Sequence, residues 1–526
     1  MQQKVLINGQ WQAANAESEF SAFNPMTGEQ LSEVYPVSSW SDIDKALSAA
    51  VESFVQLQKI SRETVAAFLE RYASLIDSNK NAIVEMANLE TGLPLSPRLA
   101  DVEIPRTVGQ LRQAAQAAQE ASWTQPTIDS ANNIRSLLTA IGPVAVFGPN
   151  NFPLAFGSIS GGDFAAAIAA GNPVIAKAHP SHPGTTRLFA ELAQKACEET
   201  GLPQATVQLV YAMSNESGLK MVSDPRIAAT GFTGSRPAGL ALKKAAEDAG
   251  KLIYLELSSV NPVIVLSGAL EQRGNAIAEE FALSCTMAAG QLCTKPGLLI
   301  VQENESTDSF VQAACEKFQQ GPVGTLLSPN AADHIAAASS ELVAAGATLL
   351  TSTRELEDGR FCHSNTLLEV SGKSFIADSK TFQTEIFGNA SLIIRSESLE
   401  QTQKILSLLE GNLTGCVYSA EDGIDDTDYD LIAATLTNKV GRVINDKMPT
   451  GVAVSPAMNH GGPFPSSGHP GFTAVGLPAA IKRFAALKCF DNVRQHRLPD
   501  LLQDKNPDGK IWRLIDGAWT QGDLGA

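Results

Sequence analysis

Ala145-Val146-Phe147, Pro173-Val174-Ile175-Ala176, Gln208-Leu209-Val210, Ala228-Ala229-Thr230-Gly231-Phe232, Ile253-Tyr254-Leu255-Glu256-Leu257 and Val263-Ile264-Val265-Leu266 decide the fold. Each is a short apolar run. Between them lie helical patterns around 155–170, 183–200, 214–223 and 236–249. Apolar strands alternating with helices imply a parallel sheet with crossover helices. A second series follows: Leu298–Val301, Ser306–Gln319, Ala331–Ala345, Thr348–Leu350, Leu367–Glu369, Leu392–Ile394, Leu399–Leu409 and Cys416–Tyr418. Two α/β domains in succession are therefore expected, joined near 256–270. Upstream, Ile43–Gln58, Arg62–Ser78 and the Ala/Gln-rich run Val108–Ala121 read as plain helices. Thr127–Ala140 reads as a projecting hairpin. Val5-Leu6-Ile7 with Asn8-Gly9, and Trp512–Ile515 with Asp516-Gly517, read as two separate surface hairpins. From about Asn492 the chain reads as a polar trailing arm.

The chain has 526 residues and a formal charge of 39 − 56 = −17. That balance argues against a binder of phosphate backbones and against docking on anionic membranes. The seven cysteines are odd in number, widely spaced and without a CxxC pair. A disulfide framework or zinc ribbon is not expected, and a reducing, cytoplasmic setting is. The N-terminal residues lack the apolar core of a signal peptide, and no apolar stretch is long enough to span a bilayer.

Several residues could carry chemistry. Cys293, in Gly290-Gln291-Leu292-Cys293-Thr294, could be a thiolate on an exposed turn; taken alone, a buried inert thiol is the commoner outcome. Glu256 closes the run Leu252–Leu255, where a carboxylate is costly unless paired or functional. It suits general-base work on water, or it is a solvated strand end. Phe232-Thr233-Gly234-Ser235-Arg236-Pro237-Ala238-Gly239 precedes a helix and could hold phosphate on free N–H groups, though an ordinary strand–helix turn looks the same. Lys177 ends a buried strand, ahead of His179 and His182. It could meet cofactor hydroxyls or phosphate, or simply snorkel. The two histidines are interrupted by prolines and lack a carboxylate nearby, so no metal site is expected. His460, in a Gly-rich loop, could handle a proton, orient a substrate carboxylate or make a structural hydrogen bond. His469 reads as structural.

Taken together, these segments resemble the aldehyde dehydrogenase superfamily over essentially the whole chain. Pro149-Asn150-Asn151-Phe152-Pro153 resembles the family's Pro-Trp-Asn-Phe-Pro, with Asn151 at the oxyanion Asn. Lys177 matches the Lys that meets the adenosine ribose. Gly234, Ser235 and Gly239 match the Gly-Ser-x-x-x-Gly cofactor turn. Glu256-Leu257-Ser258-Ser259 matches Glu-Leu-Gly-Gly, with both Gly changed to Ser. Gly290–Cys293 matches the nucleophile segment. Glu385-Ile386-Phe387-Gly388 matches the element that holds the nicotinamide ribose, with Asn389 where Pro is usual. Six such motifs fall in order over roughly 240 residues. Within the superfamily, Lys177–Gly184, Phe232–Arg236, Pro449–Val452, Pro456–Pro463 and Phe472–Gly476 are more similar to the 2,5-dioxovalerate (α-ketoglutaric semialdehyde) dehydrogenases. NADP-dependent long-chain aldehyde dehydrogenases of luminous bacteria look similar over the same stretches and are the alternative.

The resemblance implies an α/β fold of two parallel-sheet domains with a small β bridging element. It places a cofactor domain at 1–126 and 142–255, a catalytic domain at 256–491, and a bridging or oligomerisation element at 127–141 and 492–526. It implies oxidation of an aldehyde by NAD or NADP. Cys293 would add to the aldehyde carbon, Asn151 and the Cys293 N–H would hold the oxyanion, Glu256 would activate water, and His460 would stand nearby. Lys177, His179, Ser181, Gly234, Ser235, Gly239, Glu385 and Phe387 would hold the cofactor. Pro180 stands where NAD-preferring relatives often carry Glu, so NADP is favoured. A homodimer or homotetramer is implied. A non-catalytic relative is the remote alternative, against which the intact Asn151, Glu256, Cys293 and Glu385 argue.

Overall fold

In the computed structural model the first apolar series forms a seven-stranded sheet. Its order is Leu252–Glu256, Ala229–Thr233, Val144–Phe147, Val174–Lys177, Val207–Val210, Val5–Ile7 and Gln10–Gln12. The first five strands run parallel, and the last two are antiparallel. The strand order reverses at Val144–Phe147, so a crevice opens beyond the carboxyl ends of the strands. Residues 2–354, 356 and 359–525 are described; Met1, Glu355, Glu357, Asp358 and Ala526, which belong to the ranges 1–126, 256–491 and 492–526, lie outside them.

The second series forms another seven-stranded sheet. Its order is Thr348–Leu349, Thr366–Ser371, Ala390–Ser396, Leu298–Gln302, Val263–Val265, Asn412–Tyr418 and Val440–Asn445, parallel except at the first strand. Helices such as Thr307–Gln320 and Leu399–Leu408 cover it. The chain leaves the first sheet at Glu256 and enters the second at Val263. Among the described residues, no helix is long and apolar enough to cross a membrane.

Three details differ from the sequence reading. The hairpin Val5–Ile7 with Gln10–Gln12 is no surface feature: Val5, Leu6 and Ile7 are buried, and Leu6 pairs with Leu209. Its three consecutive apolar residues belong to a strand covered on both faces. Asn8 and Gly9 take positive φ of 52° and 71°, which closes the two-residue turn. Second, Ala485–Asp491, grouped above with residues 256–491, pairs along its whole length with Ile134–Ala140. The small sheet is therefore Ala485–Asp491, Ile134–Ala140, Thr127–Asp129, Arg513–Ile515 and Ala518–Thr520. Third, the arm after Asn492 is packed: Leu498, Leu501, Leu502 and Ile511 form an apolar cluster with Ala121 and Leu137.

The helix Arg62–Ser78 begins where Ser61 accepts a hydrogen bond from the Thr64 N–H. It buries Val65, Phe68, Leu69, Tyr72 and Ile76. It packs against Ile104–Glu120, which buries Ile104, Val108, Leu111, Ala115 and Ala118 at helical spacing. That second helix starts four residues before the predicted run, and its first turn carries Arg106.

Candidate active site

The carboxyl ends of the first sheet supply one wall of a cavity of about 590 Å³. Phe147–Asn151, Lys177, His179, Phe232–Ala238 and Glu256–Ser258 line it. Cys293 and Glu385–Phe387 close it from the second domain. Among the sequence-derived candidates, Asn151, Lys177, His179, Gly234, Ser235, Glu256, Cys293, Glu385 and Phe387 all meet at this cavity.

Three candidates, Ser181, Gly239 and His460, do not lie on its wall. Ser181 is turned away, and its N–H donates to His179 Nδ1 at 3.1 Å. Gly239 lies in the helix Arg236–Asp248, on its buried face: a Cβ there would sit 2.4 Å from Leu257 and 3.1 Å from Phe232. That glycine serves close helix–strand packing rather than a ligand.

The reactive end is compact. Cys293 Sγ lies 3.4 Å from His460 Nε2. The same nitrogen lies 2.9 Å from Glu256 Oε1. One donor atom from each of the three falls within 4.8 Å of the others. Glu256 and His460 are buried, at 2% and 1% exposure. Burial works to lower the His460 pKa, but the Glu256 carboxylate and the Cys293 sulfur beside it raise it to about 10. His460 is thus an imidazolium at neutral pH. An imidazolium beside a thiol favours the thiolate. Glu256 Oε2 is buried without a hydrogen-bond partner, so one carboxylate oxygen is held by His460 and the other is free.

The backbone around Cys293 is constrained from several sides. Ala288, Ala289 and Gly290 all take positive φ, at 51°, 53° and 67°. Such a left-handed turn costs an L-residue roughly 1–2 kcal/mol. Packing holds it: a Cβ on Gly290 would lie 2.0 Å from the Gly388 carbonyl oxygen. The nucleophile segment and the Glu385–Gly388 segment therefore touch through backbone. Asn261 Nδ2 donates to the carbonyls of Cys293 (2.8 Å) and Lys295 (2.9 Å). The Asn151 side-chain amide donates to the Gln291 carbonyl at 2.9 Å, which leaves its second N–H for another acceptor.

The other cysteines differ from Cys293. Burial pushes the thiols of Cys197, Cys285 and Cys416 up to about 12. They are packing residues without a cavity to act on, whereas Cys293 lines one.

The rest of the cavity fits a dinucleotide. Ser235 precedes the helix Arg236–Asp248 and makes no side-chain cap, so first-turn N–H groups point outward. Lys177 has no counter-ion among the described residues, and burial lowers its pKa to about 8. Burial, with His182 and Lys177 beside it, holds His179 neutral. The only carboxylates on the cavity wall, Glu256 and Glu385, belong to other segments. Burial pushes Glu385 up to about 7, against Lys295 and hydrogen bonds from the Ser258 hydroxyl and the Ser259 amide. The serine pair thus has a structural reason. Ser259 Oγ also donates to Asn261 Oδ1 and accepts from the Leu413 N–H.

Sequence reasoning missed Asn261, Lys295, Arg106 and Arg442. Asn261 and Lys295 act through backbone carbonyls and carry no motif; Lys295 Nζ donates to the Ile386 carbonyl at 2.8 Å. A buried Lys two residues after the candidate nucleophile was the available signal.

Comparison with known proteins follows from this geometry. Residues 11–467 match the model of the Aldehyde dehydrogenase family. The chain is 36% identical over 529 residues to alpha-ketoglutaric semialdehyde dehydrogenase 2 of Azospirillum brasilense, covering 97% of this chain and 98% of that one. It is 34% identical over 546 residues to alpha-ketoglutaric semialdehyde dehydrogenase of Acinetobacter baylyi, covering 98% and 99%. Among solved structures it is similar to a mutant of aldehyde dehydrogenase C from Pseudomonas syringae complexed with NAD+ and octanal. The TM-score is 0.79 at 22% identity, over 93% of this chain and 96% of that one.

Proposed function

Since the chain belongs to the aldehyde dehydrogenase family, we propose that it oxidises 2,5-dioxovalerate to 2-oxoglutarate, with Cys293 as nucleophile, Glu256 as base and His460 between them. The observation that carries this reading is the contact of the three side chains at one end of a dinucleotide-sized cavity. The names of the two relatives support the choice of substrate.

The Cys293 thiolate adds to the aldehyde carbon and forms a thiohemiacetal. The free N–H of the Asn151 amide and the Cys293 backbone N–H would hold its oxyanion. One such donor is worth about 2.7–4 kcal/mol in the transition state. A nicotinamide dinucleotide bound in the cavity supplies the hydride acceptor. Loss of hydride leaves a thioester on Cys293. Glu256 Oε2, which has no other partner, then takes a proton from water as the water attacks the thioester. His460 holds Oε1 and stands against the sulfur before the first step.

The His460 charge has a pH signature. Its pKa is raised, so the contribution is complete below the free imidazole value of about 6.5. It is lost as pH rises through about 10. His460→Gln should move the pH profile of Cys293 alkylation by iodoacetamide upward by about one unit or more. It should also lower kcat/KM at neutral pH by about tenfold or more. An unmoved alkylation profile would leave His460 a packing residue.

For the cofactor we favour NADP. Lys177 and His179 line the cavity, and the carboxylates on its wall, Glu256 and Glu385, come from other segments. A kcat/KM comparison should favour NADP, and Pro180→Glu should shift the ratio toward NAD by about tenfold. A wild-type preference for NAD would overturn this choice. We also propose a homodimer or homotetramer built on the small sheet, in a reducing cytoplasm. Ala485–Asp491 is an edge strand with Leu487 66% exposed, the kind of edge that pairs with another chain. A sedimentation velocity experiment that found only monomer would contradict it. A KM comparison between 2,5-dioxovalerate and dodecanal tests the substrate: a lower KM for dodecanal would favour the long-chain alternative.

A further inference from the structure

Arg106 is a partly buried cation whose guanidinium is only partly satisfied. Among the described residues it forms no ion pair. Its one hydrogen bond runs from Nη1 to the Val452 carbonyl at 2.5 Å. Nε and Nη2 are buried without a partner. Arg98, on the turn before it, shows how this region satisfies an arginine. Arg98 pairs with Glu103 at 2.5 Å and donates to the Asn151 carbonyl at 3.0 Å. Glu103 in turn accepts from the N–H groups of Leu154 and Ala155. Glu103 is engaged by Arg98 and by these two N–H groups, and among the described residues it makes no hydrogen bond or ion pair with Arg106.

The position of Arg106 can be traced to the reacting sulfur. Its guanidinium lies 5.0 Å from the centre of the Phe156 ring. That ring lies 5.6 Å from the His460 ring, and His460 touches Cys293. Arg106 thus stands a few side chains from Cys293. The loop 449–458 meets a second cation: Arg442 donates to the carbonyls of Pro449 (2.8 Å) and Gly451 (3.2 Å). Burial lowers the pKa of both arginines; the Cys293 sulfur opposes this in both, together with Glu103 and Glu256 for Arg106 and Cys416 for Arg442. Neither arginine is on the wall of the dinucleotide cavity.

We propose that Arg106 anchors the remote carboxylate of the aldehyde substrate, with Arg442 adding positive charge through the same loop. This deepens the substrate reading above and rests on it. Two buried, unused donor atoms on a guanidinium are costly, and a carboxylate would satisfy them. In 2,5-dioxovalerate four carbon–carbon bonds separate the aldehyde carbon from the carboxyl carbon, so its anchor must stand in the neighbourhood of the sulfur. A surface of net charge −17 repels an anionic substrate, so a local unpaired cation is what such a substrate needs. A long alkyl aldehyde gains nothing from it.

The test compares kcat/KM for 2,5-dioxovalerate and for pentanal, which has the same chain length and no charge. For Arg106→Gln the ratio of the two should fall by about 100-fold, most of it in the KM for the acid. Arg106→Lys should recover part of the loss. Glutarate, used as a non-reacting probe, should inhibit pentanal oxidation by the wild type, and its Ki should rise by a similar factor in Arg106→Gln. A ratio within threefold of wild type, or an unchanged glutarate Ki, overturns the anchor. Should Arg106→Gln not fold, Arg106→Lys reads the same ratio, and no fall there overturns the anchor too. If the wild type oxidises 2,5-dioxovalerate well and the ratio survives in Arg106→Gln, the anchor fails and the substrate reading stands. If glutarate binds through Arg106 but 2,5-dioxovalerate is not oxidised, the substrate reading fails and the anchor stands.

Discussion

Cys293→Ala should lower kcat for aldehyde oxidation by roughly 10⁴-fold or more, while the protein still binds its dinucleotide. The size follows from what the sulfur does. Without it, no covalent intermediate forms, and the held Asn151 amide has no tetrahedral oxyanion to receive. Binding should survive because the cavity wall is built mainly from the first sheet, from Phe147–Asn151, Lys177, His179 and Phe232–Ala238. Removing one half-exposed sulfur should cost little stability. Its neighbours are held by other contacts: Asn261 grips the Cys293 carbonyl, and Gly290 rests on Gly388. Dinucleotide titration by fluorescence quenching and a steady-state assay measure the two halves. Full activity in this variant would remove Cys293 from the chemistry.

Glu256→Gln should separate the two halves of the reaction. Acylation needs the sulfur of Cys293, which remains. Hydrolysis needs a base, and the amide of Gln is none. The variant should give a burst of reduced cofactor close to one equivalent, followed by turnover slowed about 10²–10⁴-fold. The orphaned Oε2 is the atom at stake. Because His460 loses a charged partner as well, a smaller loss in the burst rate is expected. A variant with full turnover would show that another group activates the water.

Strands and helices were legible wherever one residue pattern had one explanation. Arg62–Ser78 begins and ends where its periodicity and its Ser61 cap place it. The parallel strands read directly because they are buried on both faces and so appear as continuous apolar runs. Val440–Asn445 escaped because it is a partly exposed edge strand with Gly441 and Arg442 in it. The burial of the first hairpin was missed because three apolar residues look the same on a surface and in a core. At the site, the residue types and their order were legible through family motifs. Their contacts were not. His460 is 167 residues from Cys293 and 204 from Glu256, so only the fold brings the ring to both. Arg106 was invisible for another reason. It sits at the start of an ordinary helix, and its meaning lies in the partner it lacks.

The most direct measurement is on the covalent intermediate itself. Glu256→Gln is mixed with dinucleotide and 2,5-dioxovalerate, quenched in acid within one turnover, digested and analysed by mass spectrometry. The proposed chemistry predicts a 2-oxoglutaryl thioester on the peptide that contains Cys293, and unmodified peptides for Cys197, Cys285, Cys315, Cys362, Cys416 and Cys489. A burst of reduced cofactor with no acyl group on Cys293, or with the acyl group on another cysteine, would contradict it.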